Sequence, residues 1–163
     1  MGVNRAYRNY LNQKQGDGFE EMIQNSMYMY TQMGIMSWQN NQKVIVERTG
    51  KKITGAYFKA KSILDFSCLL DDLTYVEFDA KTTEKPRFPL QNILEHQEKR
   101  LGELHAKGVP SFLIIQLPCG LYRLGYPRII DRSKPRTVGA DEMYKIGMGY
   151  GLTIKYLDGI GRW

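Results

Sequence analysis

Two acidic residues and a lysine lie on two neighbouring predicted strands, and their types suit metal-ion chemistry. Asp79 and Lys81 are two residues apart, so their side chains share one face of a strand, while Val76 and Phe78 can pack on the other face. Asp65 precedes Asp79 by fourteen residues, in an otherwise apolar segment. A charge there costs free energy unless it is paired, solvated or bound to a metal. A carboxylate pair beside an ammonium group is the equipment of a metal-dependent nuclease.

These residue types fit hydrolysis assisted by Mg²⁺, with Mn²⁺ as an alternative ion. Mg²⁺ binds oxygen ligands, usually one or two carboxylates together with waters and substrate phosphate. Asp65, Asp79 and the carbonyl of Ala80 would supply them, and Lys81 would orient a water or stabilise the transition state. Glu20 would bring a third carboxylate from the N-terminal helix. The competing interpretation is a solvated strand face with a local ion pair that contributes little to stability.

Gln97 interrupts the apolar stripe of a helix that is predicted to follow residue 89. It lies four residues after Ile93 and four before Leu101, which places it on the apolar face. From the residues alone, the favoured interpretation is an amide that satisfies a backbone hydrogen bond. The alternative is a side chain that points at the active site and holds water or phosphate.

The predicted elements alternate between helices and strands. Helices are predicted at 19–34, after 89 and at 141–147. Strands are predicted at 35–38, 43–47, 53–59, 63–70, 74–82, 112–117 and 121–124. A mobile basic arm is predicted over 1–16, a hairpin with a basic tip at 49–52, and a basic loop at 126–138. The order predicts a single α/β domain over 1–163, with a mixed central sheet.

The composition favours a polyanionic partner and argues against several other classes of protein. The 163 residues carry a formal net charge of +6, which favours nucleic acid or an anionic membrane surface, although many basic proteins bind neither. Two cysteines argue against a disulfide framework. The absence of a bilayer-spanning apolar run and of a signal peptide predicts a cytoplasmic protein. Neither a phosphate-binding GxxxxGK[ST] loop nor a serine nucleophile elbow is present.

From about residue 16 to residue 157, the chain resembles RecU-type Holliday junction resolvases, which belong to the restriction-endonuclease-like nuclease superfamily. The resemblance is carried by F-D-A-K-T-T at 78–83, F-P-L-Q-N-I at 88–93 and H-Q at 96–97, with further matches at 56–58, 65–66 and 149–157. The run of F-P-L-Q-N-I and H-Q after F-D-A-K is much more specific than an acidic residue and a lysine two apart.

The resemblance implies a restriction-endonuclease-like mixed sheet flanked by helices, with a protruding β stalk at about 40–56. It also implies a homodimeric, Mg²⁺-dependent endonuclease that cuts four-way DNA junctions by paired nicks. A recombinase or a branch-migration helicase is a candidate further partner. By position, Asp65 and Asp79 match metal-binding acids, Lys81 the catalytic lysine, Glu20 the acid on the helix and Gln97 the active-site glutamine. The expected DNA contacts are Lys43, Arg48, Lys51, Lys52 and Arg87.

Three departures from the family pattern indicate a divergent form, such as one encoded by a phage. The family's N-terminal N-R-G is replaced by Q-G-D-G at 15–18, its K-P-T-P by S-W-Q-N-N-Q at 37–42, and the glycine after the first acid by residues around 67–68. These changes bear on junction contacts more than on catalysis. Two alternatives stay open: a related nuclease acting on other DNA substrates, and a non-catalytic architectural protein that binds junctions.

Overall fold

The computed structural model describes residues 5–40, 44–49, 52–58, 64–131, 133–147, 155 and 157; for 5–15 and for those between 37 and 58 the description is of the backbone. The helices are α1 (Arg5–Gln32), α2 (Glu95–Ala106) and α3 (Tyr126–Ile130). The strands are β1 (Met36–Asn40), β2 (Val44–Thr49), β3 (Lys52–Phe58), β4 (Phe66–Leu70), β5 (Tyr75–Thr82), β6 (Phe88–Pro89), β7 (Ser111–Leu117), β8 (Gly120–Gly125), β9 (Thr137–Val138) and β10 (Tyr144–Lys145). In this described part, no helix is long and apolar enough to cross a membrane.

Six of the strands form one mixed sheet in the order β1-β4-β5-β7-β8-β10. The central strands β5 and β7 are parallel, and every other neighbouring pair is antiparallel. The connection between the parallel strands contains α2, as a parallel crossover requires. The predicted α/β architecture with a mixed central sheet between helices is therefore confirmed.

Apolar side chains cover both faces of this sheet, which explains the apolar run at 112–115 in β7. Phe112 packs in the cluster on the α1 side, and its neighbour Leu113 packs in the cluster on the α2 side. On the α1 side, Phe78 stacks between Phe66 and Phe112, with ring centroids 5.2 and 5.3 Å away. The alternation along β5 leaves its polar residues on the α2 side.

Glycines end the two long helices where the sequence predicts. Gly34 follows α1 with a φ of +72°, and Gly108 follows α2 with a φ of +70°. After Gly108, the N–H of Val109 donates to the carbonyl of Leu104 at 2.9 Å, and the end of α1 repeats this pattern. Both ends are Schellman motifs, which need a residue in the left-handed region.

The strand pairing predicted for the hairpin at 43–59 is confirmed for the backbone of β2 and β3, while residues 43, 50–51 and 59 lie outside the described residues. Strands β2 and β3 pair antiparallel, with a register shift between Glu47 and Arg48. They form a two-stranded sheet of their own, separate from the six-stranded sheet. This is the segment that the sequence identifies as a stalk.

Several predicted boundaries are wrong, for local and for long-range reasons. Helix α1 begins at Arg5, so residues 5–16 of the segment predicted as a mobile basic arm are helical. Gly16 and Gly18 keep negative φ values and so do not end the helix. Helix α2 begins only at Glu95, because β6 pairs with β9 and a 3₁₀ turn follows at 90–92.

Two further segments differ from the prediction. Residues 140–142 form a 3₁₀ turn and β10 then pairs with β8, where a short helix was expected at 141–147. The predicted loop at 126–138 contains α3 and β9.

Candidate metal and catalytic site

The site is built on β5, whose alternation points Glu77, Asp79 and Lys81 to the α2 side of the sheet. Asp79 is a fully buried acid on a strand that also carries buried apolar side chains. Its Oδ2 atom lies 2.7 Å from the Nζ atom of Lys81, which is itself largely buried. The predicted pair is therefore a desolvated charge pair, which differs from the weak surface ion pair of the competing interpretation.

Gln97 reaches the same carboxylate from the first turn of α2. Its Nε2 atom donates to Oδ2 of Asp79 at 2.8 Å, and its Oε1 atom accepts the backbone N–H of Leu94 at 3.2 Å. The two bonds fix the orientation of the amide. Both interpretations of Gln97 are thus met in part, because the side chain satisfies a backbone donor and also contacts the acidic site.

The second carboxylate oxygen of Asp79 is the unusual atom of the site. Oδ1 is buried and accepts no hydrogen bond within the part of the chain that the structure describes. A buried polar atom without a partner is costly, and a charged one more so. A cation at Oδ1 would remove that cost.

Asp65 lies beside Asp79, although not where the sequence placed it. The predicted strand begins too early, because β4 begins at Phe66 and Asp65 occupies the bend before it, while residue 63 lies outside the described residues. Burial, followed by its interaction with Asp79, raises the pKa of Asp65 to about 8; Glu20 adds a small upward effect and Lys81 opposes it. An acid whose pKa is raised by burial and by a neighbouring carboxylate lies where a bound cation would replace its proton.

Glu20 joins this group from α1. The pKa of its carboxyl is raised, first by burial and then by the charges of Asp17 and Asp79, while Lys81 lowers it. The structure therefore brings Asp65, Asp79, Lys81 and Gln97 together, and Glu20 interacts with them through its charge. Their metal-binding and catalytic roles stay predictions.

The donor set fits a hard divalent cation that keeps part of its water shell. Asp65 and Asp79 supply carboxylate oxygens, and the carbonyl of Ala80 stays a predicted third ligand. No group of three or more His, Cys, Asp or Glu side chains within the described ranges is arranged to hold a metal ion. Mg²⁺ usually takes only one or two protein carboxylates and completes its shell with water and substrate oxygens, so a Mg²⁺ site at Asp65 and Asp79 stays a prediction.

A second charge pair, which the sequence did not predict, lies next to this site. Arg100 on α2 forms a two-pronged contact with Glu77, whose side chain is only 6% exposed. One prong joins Nε of Arg100 to Oε2 of Glu77 at 3.0 Å, and the other joins Nη2 to Oε1. Tyr75 also donates its hydroxyl to Oε1 of Glu77 at 2.8 Å. The signal in the sequence was the spacing, since Glu77 is two residues before Asp79 and Arg100 is three after Gln97.

The predicted DNA contacts receive unequal support. Lys43 and Lys51 lie outside the described residues, and Arg48 and Lys52 lie in β2 and β3, whose backbone alone is described. The guanidinium of Arg87 contacts protein groups, with Nη2 donating to Glu142 at 2.6 Å and to the carbonyl of Thr137 at 3.1 Å. In this arrangement Arg87 joins β6 to the segment around β9, so its guanidinium is already engaged. A role of Arg87 in DNA binding stays a prediction.

Comparison with known proteins identifies similar chains. A family model described as Recombination protein U matches residues 14–162. The chain is 34% identical over 111 residues to the Holliday junction resolvase RecU of Leuconostoc mesenteroides subsp. mesenteroides, which covers 63% of this chain and 54% of the relative. It is 27% identical over 149 residues to the protein of the same name from Bacillus subtilis, covering 82% and 72%. The chain thus spans about half the length of the Leuconostoc relatives that it matches.

Proposed function

This chain belongs to the recombination protein U family, and from that membership and the geometry of its site we propose that it is a Mg²⁺-dependent endonuclease that resolves four-way DNA junctions. The proposal rests mainly on the burial and hydrogen bonding of the two carboxylate oxygens of Asp79. Lys81 and Gln97 hold its Oδ2 atom, and Oδ1 is buried without a hydrogen-bond partner among the described residues. An anionic oxygen in that state suits a hard cation.

Each residue of the site has a distinct task in this proposal. Asp79 and Asp65 would hold the ion, with the carbonyl of Ala80 as a further oxygen ligand. When bound, Mg²⁺ supplies Lewis-acid chemistry and neutralises the charge that develops on the scissile phosphate. Lys81 places an ammonium group beside the metal ligand, where it would donate to a phosphate oxygen or to the attacking water. Glu20 has a raised pKa, which brings its carboxyl closer to the range in which side chains transfer protons.

Gln97 has a supporting task. Because its amide occupies Oδ2 of Asp79 together with Lys81, the other oxygen of the carboxylate is the one left for the ion. Its own second bond, to the N–H of Leu94, prevents the amide from flipping. Gln97 therefore presents the metal ligand in one orientation.

The substrate is proposed from the relatives and from charge. Three similar proteins from three genera are named Holliday junction resolvases, and the net charge of +6 suits a DNA partner. A four-way junction needs two coordinated cuts, and a two-fold symmetric homodimer would offer two equivalent sites. The β2–β3 hairpin is a candidate DNA-contacting stalk.

The test is cleavage of an end-labelled four-way junction compared with a linear duplex of the same sequence, in Mg²⁺ and in EDTA. The matched variants are Asp79→Asn, in the site, and Asp71→Asn, an exposed acid on the turn between β4 and β5. We expect paired nicks on the junction in Mg²⁺ alone. Asp79→Asn should lower the rate by at least about a hundredfold, the order of magnitude seen when one transition-state stabilising group is lost, while Asp71→Asn should cut normally.

Each other outcome would change the function or the site assigned to the protein. Equal cutting of the duplex would make it a nuclease of broader substrate range. Tight junction binding without cutting in Mg²⁺ would make it an architectural protein. Full activity of Asp79→Asn, with both variants folded by circular dichroism, would refute the assignment of the site.

A further inference from the structure

Two side-chain contacts join α2 to β5 and follow one another along both elements. Gln97 contacts Asp79, and Arg100 contacts Glu77. As β5 advances from Glu77 to Asp79, α2 is contacted in the reverse order, so the helix runs back along the strand. The Glu77–Arg100 pair thus lies next to the Asp79–Gln97 pair of the site, nearer the start of β5 and further along α2.

The spacings of the two elements make these contacts compatible. Two residues along a strand span about 6.6 Å, whereas three residues along a helix span about 4.5 Å. The difference of about 2 Å has to be absorbed by side-chain length. Arginine is long enough to absorb it, and its planar fork then sets the direction of approach to Glu77.

The apolar contacts of α2 hold the helix on the sheet, and the polar contacts to β5 add a directional constraint along the strand. Leu101 and Leu104 are buried in the cluster that includes Leu113 and Ile115 of β7. The hydrophobic effect that drives this burial is non-directional, whereas hydrogen bonds require particular distances and angles. A slide of α2 by one turn, about 5.4 Å, would carry the Gln97 amide out of reach of Asp79. The two-pronged contact between Arg100 and Glu77 tolerates no such slide.

We propose that Glu77 and Arg100 act as a positioning pair that sets where α2 lies along β5, so that Gln97 reaches Oδ2 of Asp79. Neither residue touches the reacting atoms. Tyr75 supports the pair by donating its hydroxyl to Glu77. The effect on catalysis rests on the proposed nuclease function, whereas the effect on Gln97 does not depend on it.

The first test reads Gln97 directly in the metal-free protein. Its side-chain amide signals are identified in ¹H–¹⁵N spectra by their absence in Gln97→Ala. In the double variant Glu77→Gln/Arg100→Met, which removes both charges and keeps similar side-chain volumes, solvent exchange of the Gln97 amide should rise by about tenfold, as expected when a hydrogen bond of ordinary net strength is lost. The matched control is Glu142→Gln/Arg128→Met. It removes another ion pair, with Nε of Arg128 at 2.7 Å from Glu142, and should leave the Gln97 signals unchanged.

The second test separates positioning from simple loss of folded protein. In junction cleavage, the Glu77→Gln/Arg100→Met variant should lose about tenfold to a hundredfold in kcat with little change in KM, because a small displacement affects the chemical step more than binding. Arg100→Lys keeps the charge without the fork and should fall between this variant and the wild type.

The proposal is overturned if the Gln97 signals of the double variant match those of the wild type, or if Arg100→Lys behaves as the wild type. If the double variant does not fold, Arg100→Lys alone decides by the same amide exchange. If the wild-type protein cuts no DNA, the proposed function fails, and the exchange of the Gln97 amide still decides whether the pair positions α2.

Discussion

Removing Arg100 alone should destabilise the protein strongly, because it leaves the Glu77 carboxylate buried without its partner. The side chain of Glu77 is 6% exposed and that of Arg100 is 26% exposed. Breaking a buried ion pair on one side costs about 3–5 kcal/mol. Since Arg100 is partly exposed, water can follow the deleted group, and Tyr75 still donates to Glu77. We therefore expect Arg100→Met to lose about 2–4 kcal/mol of unfolding free energy.

Removing the carboxylate as well should restore most of this stability. In Glu77→Gln/Arg100→Met no charge is left buried, so the loss should be about 1 kcal/mol, the net value of an ordinary hydrogen bond. The control is Glu103→Gln, which removes the other partner of Arg100. That contact measures 3.7 Å and the Glu103 side chain is 46% exposed, so its removal should cost less than about 0.5 kcal/mol.

Urea denaturation measures all of these variants. With a slope on the order of 2 kcal/mol per molar urea, Arg100→Met should lower the midpoint by about 1–2 M. The reasoning would be refuted by a loss below about 1 kcal/mol in Arg100→Met, or by a double variant as unstable as the single one. Either result would mean that Glu77 finds another partner or solvent once Arg100 is gone.

Four further predictions concern stability in the absence of metal. The pKa of Asp65 is raised to about 8 from an ordinary value of 3.8, so the folded protein holds a proton that the unfolded chain releases; melting temperatures in EDTA should fall as pH rises from about 4 to about 8, and Asp65→Asn should remove this slope. Gly108 has a φ of +70° and open space around it, so Gly108→Ala should cost about 1–2 kcal/mol through backbone strain. Gly18→Ala, in open space on α1 with a negative φ, should instead stabilise the protein by about 0.5–1 kcal/mol. The urea midpoint should therefore fall in Gly108→Ala and rise in Gly18→Ala. Phe78→Leu removes two ring stacks and should cost about 1–3 kcal/mol beyond lost buried area, and an unchanged urea midpoint would count against it.

The fold was predictable where a local pattern decides the structure. The mostly apolar segment at 112–117 marks β7, and the alternation at 74–82 marks β5, because burial of one or both faces leaves a pattern in the sequence. The ends of α1 and α2 were predictable for the same reason, since a glycine with positive φ acts within one turn.

The errors fall where long-range pairing decides the structure. Pro89 looked like the first turn of a helix, but Phe88 and Pro89 pair with Val138 and Thr137, about fifty residues later in the chain. Tyr144 and Lys145 likewise pair with β8 where a helix was expected. No local pattern carries the identity of a partner strand.

The candidate site also contains some features that a local pattern predicts and others that depend on long-range packing. The spacing of Asp79 and Lys81 on one strand is a local property, and the structure places their side chains together. That Arg100 pairs with Glu77 and Arg87 with Glu142 is a matter of tertiary packing. Charge type predicted Arg87 as a DNA contact, but charge alone does not tell a free guanidinium from one already bound to an acid.

Gln97 has a consequence that extends beyond the acidic cluster. Its Oε1 atom caps the backbone at the start of α2, where Leu94 itself offers no side-chain acceptor, while its Nε2 atom holds Asp79. One amide thus links the start of α2 to the Asp79 carboxylate. Glutamate at this position would keep the cap but set a negative charge against Asp79, and methionine would forfeit both bonds. A substitution of Gln97 therefore affects both the start of α2 and the orientation of the Asp79 carboxylate.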